Sequence, residues 1–429
     1  MKTFVTFLFT LVLVASCTQA PTNETPAILS ESAPEKAGMS EERLLRIDAM
    51  LTEAIAENQI PGAVALVARN GKIVYYKAFG MADTEAGRSL QRDDIFRIAS
   101  QTKAITSTAV MMLWEEGKFA LDDPISLYIP EFENALLFES INEADSSFTG
   151  RPATKAITIR HLLTHTSGIG YGMIDDDNFR KIYQKAGIID AFTTEDRSIQ
   201  ENIKRLAKLP LHHEPGEKFT YGEGLDVLGY FIETVSGLSF DRFLKERIFD
   251  PLGMEDTYFY LPDSKADRLV PVQSKTSGVW TKLGVNEFFD PDYPVKGAKT
   301  FFSGGGGLSS TAEDYARFLQ MYLNNGVYNG KRLLSRTTIQ TIMSNQVGDL
   351  LGDSGNDYGL AFGILDETGA TRGGRSSIGS FEWGGYFNTQ YFADPVENVV
   401  GVLMKQTQDT WSDETGWKFR LLVGQAIDD

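Results

Sequence analysis

Ile95-Phe96-Arg97-Ile98-Ala99-Ser100-Gln101-Thr102-Lys103 is the stretch on which the reading of this chain turns. A β-like run, Ile95 to Ile98, leads into Ser-x-x-Lys. From Gln101 to Glu116 the pattern is helical, and Gly117 closes it. Ile105, Ala109, Met112 and Leu113 have apolar neighbours on nearly every side, so the spacing predicts a buried helix. Residues three apart share a helix face, which brings Lys103 within reach of the Ser100 hydroxyl. The positive helix N-terminus favours negative charge developing at the same place. A serine hydroxyl needs an adjacent base to act as a nucleophile. A lysine can be that base only as the neutral amine, a form that burial and a positive helix end both favour. By itself Ser-x-x-Lys is weak, because a serine N-cap followed by a surface lysine spells the same motif.

On the N-terminal side, Ser40 is placed to cap a helix carrying Leu44, Ile47, Leu51, Ala54 and Ile55 at helical spacing. Pro61-Gly62 stops it. Ala63–Ala68 and Ile73–Phe79 are β-rich runs joined across Asn70-Gly71, a strong hairpin signal. On the C-terminal side, residues 120 to 300 read mostly as helices and polar loops, clearest at Ile157–Leu163 and Leu225–Val235. Strand-like runs follow at Tyr358–Leu365, Gly379–Gly384, Thr389–Ala393 and Val399–Met404, with a turn at Asp394-Pro395. A last helix covers Glu414 to Ala426. Strands that follow one another without helices between them pair antiparallel. The expected fold is therefore α+β: one antiparallel sheet flanked by helices, with a mostly helical inserted subdomain. Its sheet part is about 36–100 and 300–425, its helical part about 101–299, and the cleft lies between them.

The chain has 429 residues, 42% of them hydrophobic, with a net charge of −17. An acidic chain repels nucleic acid and lacks the basic patch that anionic lipid recruits, so neither is an expected partner. Residues 1–16 read as a signal peptide: Lys2 is followed by an apolar run, Phe4 to Val14, too short to span a bilayer. Val14-Ala15-Ser16-Cys17 looks like a lipobox, which makes Cys17 a lipidation site and the protein exported and anchored to a bacterial membrane. An ordinary signal peptide with a stray cysteine is the plainer alternative. Cys17 is the chain's only cysteine, so internal disulfides are not expected. Residues 17–35, rich in Pro, Thr, Ser and Glu, read as a flexible tether, and 36–425 as the folded domain.

Two further elements carry chemistry. Tyr221 sits in Pro215-Gly216-Glu217-Lys218-Phe219-Thr220-Tyr221-Gly222-Glu223, where it is either a packed ring or a phenol able to relay a proton. Trp383-Gly384-Gly385-Tyr386 lies in the strand-rich region, where paired glycines let a strand edge approach a ligand and offer backbone N–H groups to an oxyanion. Several other signals are set aside. Gly352-Asp353-Ser354-Gly355 stands in a polar loop. No G-x-S-x-G is present. His161 and His165 lack the H-E-x-x-H pattern of a zinc protease, His212-His213 diverge, and Gly304–Gly307 lacks the lysine of a phosphate loop. No metal and no cofactor is expected.

Together these elements resemble the serine β-lactamase and penicillin-binding-protein superfamily, in its class C-like branch with the family VIII carboxylesterases. Ile159-Arg160-His161-Leu162-Leu163-Thr164-His165-Thr166-Ser167-Gly168 and Gly304-Gly305-Gly306-Gly307-Leu308 followed by Thr311-Ala312-Glu313-Asp314 resemble the family as well. The resemblance implies Ser100 as the acyl-accepting nucleophile, Lys103 as its base and Tyr221 as the proton relay. It implies an oxyanion hole from the backbone N–H groups of Ser100 and Tyr386. It places Trp383, Gly384, Gly385 and Glu223 along the substrate. Two departures matter. Glu223 stands where the family often has Asn; it either pairs with Lys103 or points to solvent, and the second is favoured here. Trp383 stands where lactamases have the lysine that binds a substrate carboxylate. An indole gives up that charge-assisted contact and offers flat apolar area instead. The expectation is hydrolysis of small acyl esters. The alternatives are a β-lactamase or D-amino-acid-specific peptidase acting on amides, and a non-catalytic homologue.

Overall fold

A computed structural model describes residues 27–286, 288–373, 376–408 and 413–429. Cys17 and the signal segment lie outside the described residues. A mixed sheet organises the chain. Its strands are β1 (Ser30–Glu31), β2 (Gly62–Arg69), β3 (Lys72–Asp83), β4 (Asn356–Tyr358), β5 (Gly363–Leu365), β6 (Phe381–Gly384), β7 (Gln390–Asp394) and β8 (Val399–Met404). They lie in the order β1-β3-β2-β8-β7-β6-β5-β4. Neighbours are antiparallel except β1, which joins β3 in parallel at Lys72 and Ile73. The two ends of the chain meet where β2 pairs with β8, Val64 opposite Met404 and Arg69 opposite Val399.

The sheet is covered on both faces, which explains why β2 reads as an unbroken apolar run. Its residues are buried throughout, alternate ones entering different cores. Ala63, Ala65 and Val67 face α1 (Glu41–Ala56) and the C-terminal helix α5 (Thr415–Gln425), meeting Leu44, Ile47, Leu51, Phe419 and Val423. Val64, Leu66 and Ala68 face the larger core, built on α2 (Thr102–Glu115), α3 (Gly224–Ser236) and α4 (Ala312–Leu323). Every residue of α2 from Thr102 to Leu113 is buried. Its hydroxyls are accommodated by hydrogen bonds, Thr106 to Gly304 O at 2.7 Å and Ser107 to Leu360 O at 2.7 Å, since a buried hydroxyl left unpaired costs about 1–3 kcal/mol.

The structure departs from the sequence reading in three places. Tyr358–Leu365 is two strands, not one. The chain turns back between β4 and β5, Gly359 N–H donating to Phe362 O, with Ala361 at φ 66°. A Cβ at Gly359 would stand 2.1 Å from Ile342 O, so the turn needs glycine there. Buried Leu360 and Phe362 are turn residues seated in the large core, and their hydrophobicity mimics strand. Second, the middle of the chain carries hairpins beside its helices: Leu136–Asn142 with Ser147–Pro152, and Gln273–Thr276 with Val279–Lys282. Third, order begins before residue 36. Ser30–Glu31 adds to the sheet through Ser30 N–H to Gly71 O and Ser32 N–H to Ile73 O. A pairing this short has no periodicity to read.

Ile47 is fully buried between α1 and the sheet, away from the cleft. Ile47→Ala is expected to destabilise the protein by about 2–5 kcal/mol, read as a lowered urea midpoint, while the rate constant per folded molecule stays within twofold.

Candidate active site

Ser100 is delivered to the cleft by a short strand, Phe96–Arg97, paired with Ser309–Ser310. Arg97 anchors it. Its guanidinium is fully buried and donates to the carbonyls of Val270 and Pro291, and its backbone N–H donates to Gln406 Oε1. Ala99 then takes φ 44°, a left-handed conformation uncommon for a residue with a side chain. The chain enters α2 directly afterwards. Strain of this kind persists where the surroundings over-determine the backbone, and it concentrates at functional sites.

Lys103 is 1% exposed. Its Nζ lies 2.7 Å from Gly305 O, 3.0 Å from the Tyr171 hydroxyl and 3.3 Å from Ser100 Oγ. A carbonyl only accepts, so Lys103 donates to Gly305. The Ser100 contact can run either way, and that freedom is what a base needs. Tyr221 stands beside this cluster, with its ring centroid 4.7 Å from the Lys103 nitrogen. The hydroxyl hydrogen bond to Lys103 belongs to Tyr171, a residue the sequence reading did not single out. Burial, followed by the neighbouring Asp226, Tyr221, Glu223 and Asp190, raises the Tyr171 phenol well above its ordinary range, so it stays neutral. Its only mark in the sequence is its place in Gly170-Tyr171-Gly172, just after the Ser167-Gly168 turn.

Gly305 is held in turn by Asp226 of α3. The Asp226 Oδ1 accepts from Ser303 Oγ at 2.5 Å and from Gly305 N–H at 3.1 Å. Burial lifts the Asp226 carboxyl above its usual range, against the pull of Lys103 and of those hydrogen bonds. A Cβ at Gly305 would stand 2.1 Å from Asp226 Oδ2 and 2.6 Å from the Tyr171 hydroxyl. The Gly304–Gly307 run is thus the close-packed wall behind the lysine.

Ser100, Tyr171, Tyr221 and Tyr386 line one cavity of about 50 Å³, together with Met173, Ala191, Phe192 and Gly306. Gly385 brings its strand end against the nucleophile: a Cβ there would be 2.4 Å from Ile98 O. Gly384 ends β6, and Trp383 donates its indole N–H to the Tyr221 hydroxyl at 3.4 Å, the rings 5.8 Å apart. A larger cavity, about 590 Å³, lies beside Trp383 against α5, and none of Ser100, Lys103 or Tyr221 lines it.

Glu223 corrects the sequence reading. It neither pairs with Lys103 nor reaches solvent: it is 0% exposed, and burial followed by Asp190 raises its carboxyl well above the ordinary range. His161 and His165 have structural places. His161 Nδ1 accepts from Thr158 N–H in a capping box. His165 Nδ1 accepts from Gly222 N–H, and its ring lies 4.4 Å from that of Tyr221.

This sheet-and-helix architecture, with Ser-x-x-Lys at the head of its buried helix, defines an active-serine fold. A family profile described as Beta-lactamase matches residues 47–425, and the chain belongs to the beta-lactamase family. Esterase EstB of Burkholderia gladioli is 32% identical over 381 residues, which span 84% of this chain and 90% of that one. Lovastatin esterase of Penicillium rubens is 28% identical, over 83% of this chain and 91% of its own. Among solved structures, EstCE1, a hydrolase with promiscuous acyltransferase activity, superposes with a TM-score of 0.76 at 26% identity, over 91% of this chain and 99% of that one.

Burial, and secondarily Lys103, holds His165 well below its ordinary value of 6.5, so it is neutral in the folded state. The unfolded chain takes up that proton more readily, so this group costs stability as pH falls through its unfolded value. The thermal midpoint is expected to drop through that range, and His165→Asn to flatten the drop.

Proposed function

We propose that the protein is a serine carboxylesterase acting on small acyl esters. The observation that carries this reading is the Lys103 nitrogen, sealed from solvent and 3.3 Å from Ser100 Oγ. Ser100 Oγ bonds to the ester carbonyl carbon while its proton passes to Lys103 in its neutral form. The oxyanion rests on the N–H groups of Ser100 and Tyr386. Collapse breaks the bond to the alcohol, which takes a proton through the Tyr221 hydroxyl facing the same cavity. Water then adds to the acyl carbon, gives a proton back to the lysine–tyrosine pair, and the acid leaves with Ser100 restored. Trp383, without a cation for a substrate carboxylate, supports esters over β-lactams. The esterase relatives support the same choice.

The cavity beside Ser100 is small and walled by Met173, Ile174, Ala191 and Phe192, which suits a short acyl chain. Each buried methylene contributes about 0.8 kcal/mol, or about fourfold in kcat/KM. Rates for p-nitrophenyl esters are expected to climb from acetate to butyrate and fall for long chains, with nitrocefin turned over at least a hundredfold less efficiently. Lys103→Ala is expected to lower kcat by about 10²–10⁴-fold. Nitrocefin as the better substrate would sink the ester reading, and unchanged hydrolysis in Lys103→Ala would sink the mechanism.

Export and lipid anchoring through Cys17 belong to the same proposal. The support is the apolar run and lipobox-like spacing of the sequence, and no helix among the described residues is long and apolar enough to cross a membrane. In a bacterial host, Cys17→Ala is expected to move the protein from the membrane to the soluble fraction and to abolish palmitate labelling.

A further inference from the structure

In and behind the cavity wall lies a group of carboxyls that the mechanism above does not use. Glu223 immediately precedes α3, and Asp190 precedes Ala191 and Phe192 in the wall. Glu223 is 0% exposed and Asp190 8%. Neither Glu223 oxygen finds a donor. Asp190 Oδ2 accepts one, Met173 N–H at 2.7 Å, and its Oδ1 accepts none. Burial, opposed by hydrogen bonding to Glu223, raises the Asp190 carboxyl; burial, with the charge and hydrogen bonding of Asp190, raises that of Glu223. Two acceptors cannot bond unless one carries a proton, and two buried like charges at contact cannot both persist.

The groups facing the pair supply no cation of their own. From α3 comes Asp226, whose Oδ1 is already taken by Ser303 Oγ and Gly305 N–H. From the segment after Tyr171 comes Asp175, which is paired with His212 at 3.1 Å. Tyr171 and Tyr183 present phenols that burial keeps neutral. Nothing here neutralises two carboxylates, whereas a single proton converts their repulsion into a short O–H···O⁻ bond.

We infer that Glu223 and Asp190 share one proton, and that this bond is the clamp that positions the acyl-pocket wall against the Tyr221 segment. The clamp joins three pieces of chain that meet at the cavity. Asp190 holds Met173 through its backbone N–H and leads into Ala191, which is strained at φ 88°. Glu223 holds Gly170, just before Tyr171, through its own N–H at 3.1 Å, and follows Tyr221 by two residues. Both are positioning residues: Asp190 is part of the wall, Glu223 sits behind it, and the pair sets where the wall stands. The functional half of this inference rests on the esterase reading; the shared proton does not.

Infrared difference spectroscopy tests the proton directly. Near neutral pH, wild type minus Glu223→Gln is expected to show the carbonyl stretch of a protonated carboxyl. Wild type minus Asp190→Asn should show it as well, because an amide donor lets the remaining partner ionise. If neither variant removes such a band, the inference is overturned. The clamp is tested by kinetics on p-nitrophenyl butyrate. Glu223→Ala is expected to show a KM about tenfold above that of Glu223→Gln, whose amide can donate to Asp190, with kcat differing by less than threefold. Equal KM values in the two variants overturn the positioning role. The infrared band needs no turnover, so hydrolysis that survives Ser100→Ala would sink the esterase reading and leave the shared proton to stand or fall on its own.

Discussion

The structure depends on a lysine nitrogen held in a dry interior by one carbonyl and two hydroxyls. An amine in that position needs partners placed to hydrogen-bond accuracy, because a buried polar group without them costs several kcal/mol. Three parts of the chain supply them: the Gly304–Gly307 turn, the Tyr171 segment and Ser100 itself. Each is fixed from behind. Asp226 holds the glycine turn, the Glu223 backbone holds Gly170, and the anchored Arg97 strand holds Ser100. Chemistry at the serine is a property of this whole arrangement rather than of a dyad.

Negative charge in this region is dense, yet it is rationed. Asp226 faces Lys103, Asp175 faces His212, and Asp190 and Glu223 face each other. The acidic character of the whole chain is a surface property; the carboxyls near the site are desolvated and behave as neutral or paired groups. That difference is why reading Glu223 as solvent-exposed failed: the sequence shows its charge but not its burial.

What was legible followed local rules. The Asn70-Gly71 hairpin, the α2 helix, the sequential strands and the close strand approach at Gly385 each rest on a periodicity, a turn residue or a glycine demanded by a short contact. The resemblance then named Ser100, Lys103, Tyr221 and Trp383; the structure sets Lys103 against Ser100 and the Tyr221 ring, and Trp383 against Tyr221 beside a separate cavity. Tyr171 and Asp190 were not legible. Their roles arise where segments distant in sequence converge, and a lone tyrosine between glycines or an aspartate in a loop carries no periodic mark. Tyr358–Leu365 failed for a different reason, since a buried turn and a buried strand have the same composition.

The outermost strand has a consequence for how the molecule meets its neighbours. β3 is long and would otherwise present a row of unsatisfied amides and carbonyls. Ser30–Glu31 occupies one end of that row and Arg88–Ser89 the other, at Met81 and Asp83. Between them stands Lys77, ion-paired to Asp48 at 2.7 Å. Short flaps and a charge are what natural sheets use to stop strangers from docking onto them. A chain end that looks like packaging thereby guards the sheet against self-association.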